Sequence, residues 1–151
     1  MAGLWFEQFT IGQEFEHEIH RTVTESDNIT FCGATYNPAA IHIDAEYCKG
    51  TEFGKPLVNS IFTLGLVIGL SIQDTTLGTT VANLGMTDVK FPKPVFAGDT
   101  LRSKSTVLES RPSKSRPNAG IITFLHQGFN QRGEEVATCT RKALMLRKAM
   151  A

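Results

Sequence analysis

The hydrophobic pattern of this chain changes period about half-way along. Before Gly78 the apolar residues fall largely at helical spacing; after it they are mixed with Thr, Ser and charged residues in strand-like runs. Thr24 or Ser26 can cap a helix running to about Ala34, with Asp27 in its first turn and Ile29, Phe31 and Cys32 as a partial apolar face. Ahead of it, residues 4–15 with the turn signal Ile11-Gly12-Gln13 read as an entry segment, leading to a strand near 15–23. A short helical turn is expected over 45–49, before Gly54-Lys55-Pro56. The one long apolar helix falls at 59–73. There Ile61, Phe62, Leu64, Leu66, Val67, Ile68, Leu70 and Ile72 surround the axis almost completely, which predicts burial on most sides. Gly65 and Gly69, one turn apart, would let a neighbour pack close to one face.

The second half reads as strand-like segments at 79–84, 87–91, 100–108, 120–130 and 135–146. Pro92 and Pro94 bracket a bend, Ala97-Gly98-Asp99 makes a turn, and Gln131-Arg132-Gly133-Glu134 reads as a hairpin. One buried helix followed by long antiparallel strands predicts an α+β fold with the sheet wrapped around the helix. No linker, repeat or low-complexity stretch divides the chain, so one domain over 1–151 is expected.

Composition narrows the function by exclusion. Lys+Arg and Asp+Glu are balanced at 15 each, which argues against a nucleic-acid partner held by a general positive field. The three cysteines, Cys32, Cys48 and Cys139, have no CxxC spacing and form no even set, so reduced thiols in a cytoplasmic protein are expected. Met1-Ala2-Gly3-Leu4-Trp5-Phe6-Glu7 lacks a basic stretch followed by a long apolar run, so no signal peptide is expected. The apolar run 61–72 is too short and interrupted to span a bilayer, so no membrane partner is expected. His17, His20 and His126 have no His or Cys partner at ligand spacing; they read as structural, with no metal site.

Candidate chemistry concentrates in Tyr36-Asn37-Pro38-Ala39-Ala40-Ile41-His42-Ile43-Asp44. An imidazole titrates nearest neutrality, so His42 is the first candidate for proton transfer. Pro38 biases Asn37 away from helical geometry, so Asn37 and His42 can point at one spot in a loop. Alternatively, His42 is a structural link to a backbone carbonyl. Asp44 reads as the cap of the helical turn that follows, and Tyr36 either lines the pocket or fills the loop.

Three blocks in order resemble the MaoC-like dehydratases, the family that includes the (R)-specific enoyl-CoA hydratases. They are Asp27-Asn28-Ile29-Thr30-Phe31 through His42-Ile43-Asp44; Phe53-Gly54-Lys55-Pro56-Leu57-Val58-Asn59-Ser60; and Val89-Lys90-Phe91-Pro92-Lys93-Pro94-Val95-Phe96-Ala97-Gly98-Asp99-Thr100-Leu101. The later Asn130-Gln131-Arg132-Gly133-Glu134 also fits. The resemblance implies a hot-dog fold, a long helix wrapped by an antiparallel sheet, assembled as a homodimer or a multiple of dimers. It also implies reversible hydration of a 2-enoyl-CoA thioester, with no cofactor because CoA is part of the substrate.

The same resemblance assigns roles. His42 becomes the acid/base residue and Asn37 the holder of its water. The family carries an Asp five residues before the His, where this chain has Asn37, and an amide cannot take and return a proton as a carboxylate does. The family's His-Gly at the helix entrance is Asn59-Ser60 here. Both departures resemble relatives acting on branched dicarboxylyl thioesters of the mesaconyl-CoA or methylmalyl-CoA type. Asn59, Ser60 and Thr63 are candidates for the oxyanion and substrate pocket, at a helix entrance whose N–H groups favour developing negative charge. Arg111, Lys114, Arg116, Lys90 and Lys93 are candidates for the CoA phosphates or a substrate carboxylate. Two alternatives stand. One is a hot-dog thioesterase, disfavoured because 59–73 carries no Asp or Glu and Glu46 and Glu52 show no evident arrangement. The other is a non-catalytic thioester-binding or assembly module.

Overall fold

The computed structural model describes residues 3–148; the ends of the domain expected over 1–151, with Met1 and Ala2 of the leader reading, lie outside the described residues. Six strands form one antiparallel layer. Strands β1 (Glu14–Glu16), β4 (Thr100–Pro112), β5 (Ala119–Phe129), β6 (Glu135–Leu146) and β3 (Thr80–Lys90) lie side by side in that order, and β2 (Arg21–Thr22) also pairs with β4. Among the described residues four α-helices accompany them: α1 (Glu25–Ala34), α2 (Ala40–Ile43), α3 (Ala45–Cys48) and the long α4 (Ser60–Thr75), which lies across the sheet. This is the hot-dog arrangement. Among the described residues no helix is long and apolar enough to cross a membrane.

Local chemistry accounts for most boundaries. Thr24 and Asp27 cap α1 reciprocally: the Asp27 N–H donates to Thr24 Oγ1 at 3.1 Å and the Thr24 N–H to Asp27 Oδ2 at 2.8 Å. Arg21 grips the same carboxylate with both terminal nitrogens, at 2.7 and 3.0 Å, and holds the Asp27 pKa down to about 2. The expected strand over 15–23 is two short pieces instead. Glu16 faces Lys104 and Arg21 faces Leu101, so five steps of one chain oppose three of the other and the excess bulges out. The reverse holds for 79–84 and 87–91, which form the single strand β3. Gly85, in the expected break, and Asp88, inside the expected second strand, adopt positive φ (151° and 52°) beside bulges in a continuous strand.

Helix α4 buries one face only, through Thr63, Leu64, Val67, Leu70, Ser71 and Thr75. Burial on most sides was expected, yet Ile61 is 58% exposed and the outer sides of Gly65 and Gly69 face open space. A single sheet layer can cover only one side of a helix. Val67 nests against Gly128 of β5, where a Cβ would collide with it. Two apolar clusters flank the contact. Val23, Val58, Leu70, Val95, Leu101 and Val136 form one, and Phe6, Phe9, Val107, Ile122, Phe124, Ala143 and Met145 the other.

Between the clusters runs a buried polar line. Arg141 Nε donates to His126 Nε2 (3.0 Å), and His126 Nδ1 meets Ser105 Oγ (2.8 Å). Ser105 Oγ meets His17 Nε2 (2.9 Å), and His17 Nδ1 meets Asp74 Oδ2 (2.8 Å). Burial, reinforced by the charge of Arg141, lowers the His126 pKa to about 3, so this ring is neutral. With Nε2 accepting, His126 Nδ1–H donates to Ser105, whose hydroxyl donates to His17 Nε2, leaving His17 Nδ1–H for Asp74. His17 and His126 are thus structural.

Candidate functional site

The site is built where α1, α2 and the entrance of α4 converge. After α1 the chain turns at Tyr36, held at φ 56°, and Asn37 Oδ1 accepts the Ala39 N–H at 3.0 Å. That turn launches α2, so His42 sits on a helical turn rather than in an open loop. Asp44 closes α2 and caps α3, its carboxylate accepting the Tyr47 N–H at 2.9 Å. Its capping reading therefore stands.

His42 Nδ1 lies 2.9 Å from the Leu57 carbonyl oxygen. A carbonyl only accepts, so Nδ1 carries a proton, and in the neutral ring the lone pair is on Nε2. Asn59 caps α4 by accepting the Ile61 N–H at 2.9 Å. Among the described residues, the Ser60 and Phe62 N–H groups of that first turn have no hydrogen-bond partner. A cavity of about 240 Å³ opens here, with His42, Ser60, Thr63 and Lys93 among otherwise apolar walls that include Phe53 and Phe91. Its far wall is pinned by Asp99, which is 6% exposed and accepts the Phe96 N–H (2.9 Å) and Gln131 Nε2 (2.8 Å). Leu57 bridges Phe96, and Val58 N–H donates to Val95.

Other expected site residues lie elsewhere. Asn37 and Tyr36 line a separate cavity of about 390 Å³ with Ile29, Cys32, Pro38 and Ile43. The helical turn carries His42 toward Leu57 while Asn37 Oδ1 accepts the Ala39 N–H and its side chain lines the other cavity, so the two do not point at one spot in this chain. Arg111 pairs with Ile121, which pairs with Leu144, eight residues along β6 from the cavity residue Val136. At the usual strand rise that is roughly 26 Å. Lys114 and Arg116 follow in the β4–β5 hairpin, so these three cations stand at the opposite end of the sheet from His42. Lys90 ends β3 opposite Thr138, while Lys93 lines the cavity.

Asn28 was missed. It is 4% exposed, and its amide bonds the backbone on both sides of the site. Its signal was available: an amide one turn before Cys32, on the side of α1 that turns inward.

The MaoC-like domain model matches residues 6–127. The chain belongs to this family. A mesaconyl-CoA hydratase of Cereibacter sphaeroides is 31% identical over 97% of this chain and 42% of its own length. A β-methylmalyl-CoA dehydratase of Chloroflexus aurantiacus is 29% identical over 97% of this chain and 41% of its own. The solved structure of a monoamine oxidase regulatory protein from Archaeoglobus fulgius superposes with a TM-score of 0.85 at 32% identity, covering 98% of this chain and 97% of that one. This MaoC-like chain thus spans about two fifths of the length of these two curated relatives. Its three cysteines are free and buried, and no group of metal-ligating side chains forms among the described residues.

Proposed function

We propose that this MaoC-like domain hydrates a 2-enoyl-CoA thioester reversibly, with His42 as the acid/base residue. The observation that carries the reading is the Leu57 carbonyl on His42 Nδ1, which leaves Nε2 basic in a side chain that lines the cavity at the α4 entrance. In the hydration direction Nε2 takes a proton from water as the water oxygen bonds to C3. The C2–C3 π pair shifts toward the thioester and its oxygen gains enolate charge. The unpartnered N–H groups of Ser60 and Phe62 are suited to that charge. The enolate then collapses, and C2 receives the proton held on His42, giving the 3-hydroxyacyl thioester with no net gain or loss of electrons. No further cofactor is needed in this scheme.

The finer substrate class is a short acyl group bearing a second carboxylate, as in mesaconyl-CoA. Its support is Lys93, the one Lys, Arg, Asp or Glu side chain among the described residues that line the cavity, and a volume of about 240 Å³. A two-fold homodimer is supported by the edge strand β3, which exposes Val81, Leu84, Met86 and Val89, and by the exposed Ile61 on α4. Buried free thiols support a reducing, cytoplasmic setting.

Hydrolysis has less support. Helix α4 does extend past 59–73 to include Asp74, but that carboxylate is in its last turn and bonded to His17. Asp74, His17 and Ser105 follow the order of a hydrolytic relay, yet Ser105 is 0% exposed and its oxygen already bonds two imidazoles.

The test follows loss of enoyl absorbance with crotonyl-CoA and mesaconyl-CoA while titrating free thiol. Loss of absorbance at constant thiol, faster with mesaconyl-CoA, is expected; thiol release means a thioesterase, and binding without turnover means a binding module. His42→Ala should lower kcat by at least ~100-fold, the scale of losing an acid/base group.

A further inference from the structure

We infer that Asn28 is the positioning residue that holds the base and the oxyanion donors of this site at a set separation. The inference rests on the reading of His42 as the base. Asn28 Nδ2 donates to the His42 carbonyl and to the Leu57 carbonyl, each at 2.9 Å, and Oδ1 accepts the Asn59 N–H at 2.8 Å. Both of its donors and one acceptor site are therefore committed to backbone, each on a different wall of the site. One bond fixes the peptide of the base itself. The second falls on the very oxygen that receives His42 Nδ1–H, so Leu57 O serves both side chains. The third fixes the cap residue from which the free N–H groups of α4 follow.

No carboxylate can do this work. It has no hydrogens to donate and would face two carbonyl oxygens, so the residue type as well as its burial is dictated by the backbone groups it meets. Losing the amide removes one of the two donors that orient the Leu57 carbonyl. Its peptide is then held by the Val58 N–H on Val95 without that brace, and the acceptor that selects the Nδ1–H form of His42 is less firmly set. It also removes the link from the His42 peptide to the Asn59 N–H. Helix α2 stays joined to the segment before α4 through Leu57 N–H on the Ile41 carbonyl, so the base and the oxyanion donors are held less closely relative to one another. Misplacement of about 1 Å at a reacting group costs on the order of 100-fold in rate.

The test uses the full chain with Asn28→Ala and Asn28→Ser, the serine retaining one donor for one of the two carbonyls. Turnover is measured well below each variant's melting temperature, beside imidazole nitrogen NMR of His42. For Asn28→Ala we expect kcat about 10- to 100-fold lower with KM changed less than about threefold, Asn28→Ser falling between it and the parent. The His42 signal should move from Nδ1–H toward Nε2–H. On a His42→Ala background, Asn28→Ala should cost markedly less in kcat than it does in the parent, because most of its effect acts through the base.

A lowered melting temperature with kcat and the His42 tautomer unchanged would overturn the inference, leaving Asn28 a structural bolt. So would an undiminished Asn28→Ala penalty on the His42→Ala background. If Asn28→Ala does not fold, the serine variant's tautomer and kcat decide the matter alone. Parent-like turnover in His42→Ala would instead remove the functional reading beneath it.

Discussion

Ser103 and Ser105 lie two residues apart on β4 and both point inward, at 1% and 0% exposure, yet removing their hydroxyls should have opposite effects. Ser105 Oγ joins His17 Nε2 at 2.9 Å to His126 Nδ1 at 2.8 Å in the middle of the polar line. Ser105→Ala leaves one buried imidazole with an unpaired donor and the other with an unpaired acceptor. Each such orphan costs about 1–3 kcal/mol, so about 2–6 kcal/mol is expected in total. With an unfolding entropy of about 2.1 cal/mol/K per residue over 151 residues, the melting temperature should fall by about 6–19 °C. Ser103 Oγ has no partner among the described residues. Ser103→Ala deletes an orphan instead of making two, and should leave stability unchanged or raise it by up to about 1 kcal/mol. Scanning calorimetry at pH 7 on parent and both variants reads the contrast directly. Equal shifts for the two serines, or a Ser105→Ala loss below about 1 kcal/mol, would refute the polar line as a coupled, satisfied unit.

Gly128→Ala should cost about 1–3 kcal/mol, because the added methyl overlaps the fully buried Val67 and α4 must lift from the sheet; an unchanged denaturant midpoint would contradict this. Asp27, with its folded pKa held at about 2 by Arg21, contributes stability above its ordinary pKa near 3.9 and loses it as pH falls toward 2. Asp27→Asn should therefore flatten the decline in stability between pH 4 and 2. Because Arg21 is 44% exposed, the difference should not exceed about 1 kcal/mol, and parallel acid titrations of parent and variant would count against it. Lys93→Met should raise KM for mesaconyl-CoA about tenfold while leaving crotonyl-CoA nearly unchanged, as expected for one charged hydrogen bond. Equal effects on both substrates would remove Lys93 from carboxylate recognition.

Residues that act over three or four positions were legible in the sequence. The Thr24–Asp27 cap, the Asn59 entrance to α4, the Asp44 cap and strand β6 over Glu135–Leu146 all appear where local chemistry put them. Such signals depend on backbone groups one turn away or on alternation along one strand. Two elements escaped for the same reason in opposite directions. Whether a glycine or a few extra residues break a strand or merely bulge it is decided by the neighbouring strand, and so β3 runs through Gly85 while the strand expected at 15–23 divides.

The site divides along the same line. That a histidine after Asn-Pro is the residue to examine, and that the chain belongs among the MaoC-like domains, followed from sequence. Three dimensions decided which groups meet His42. The helical turn sends it to Leu57 and away from Asn37, and the length of the strands carries Arg111, Lys114 and Arg116 to the far end of the sheet. Asn28 and Leu57 are 29 residues apart, and Ser105 and His126 are 21 apart. No periodicity spans such separations. A sequence specifies which polar groups must be satisfied when buried, but only packing α4 on the sheet determines which groups are buried together and hence with whom they bond.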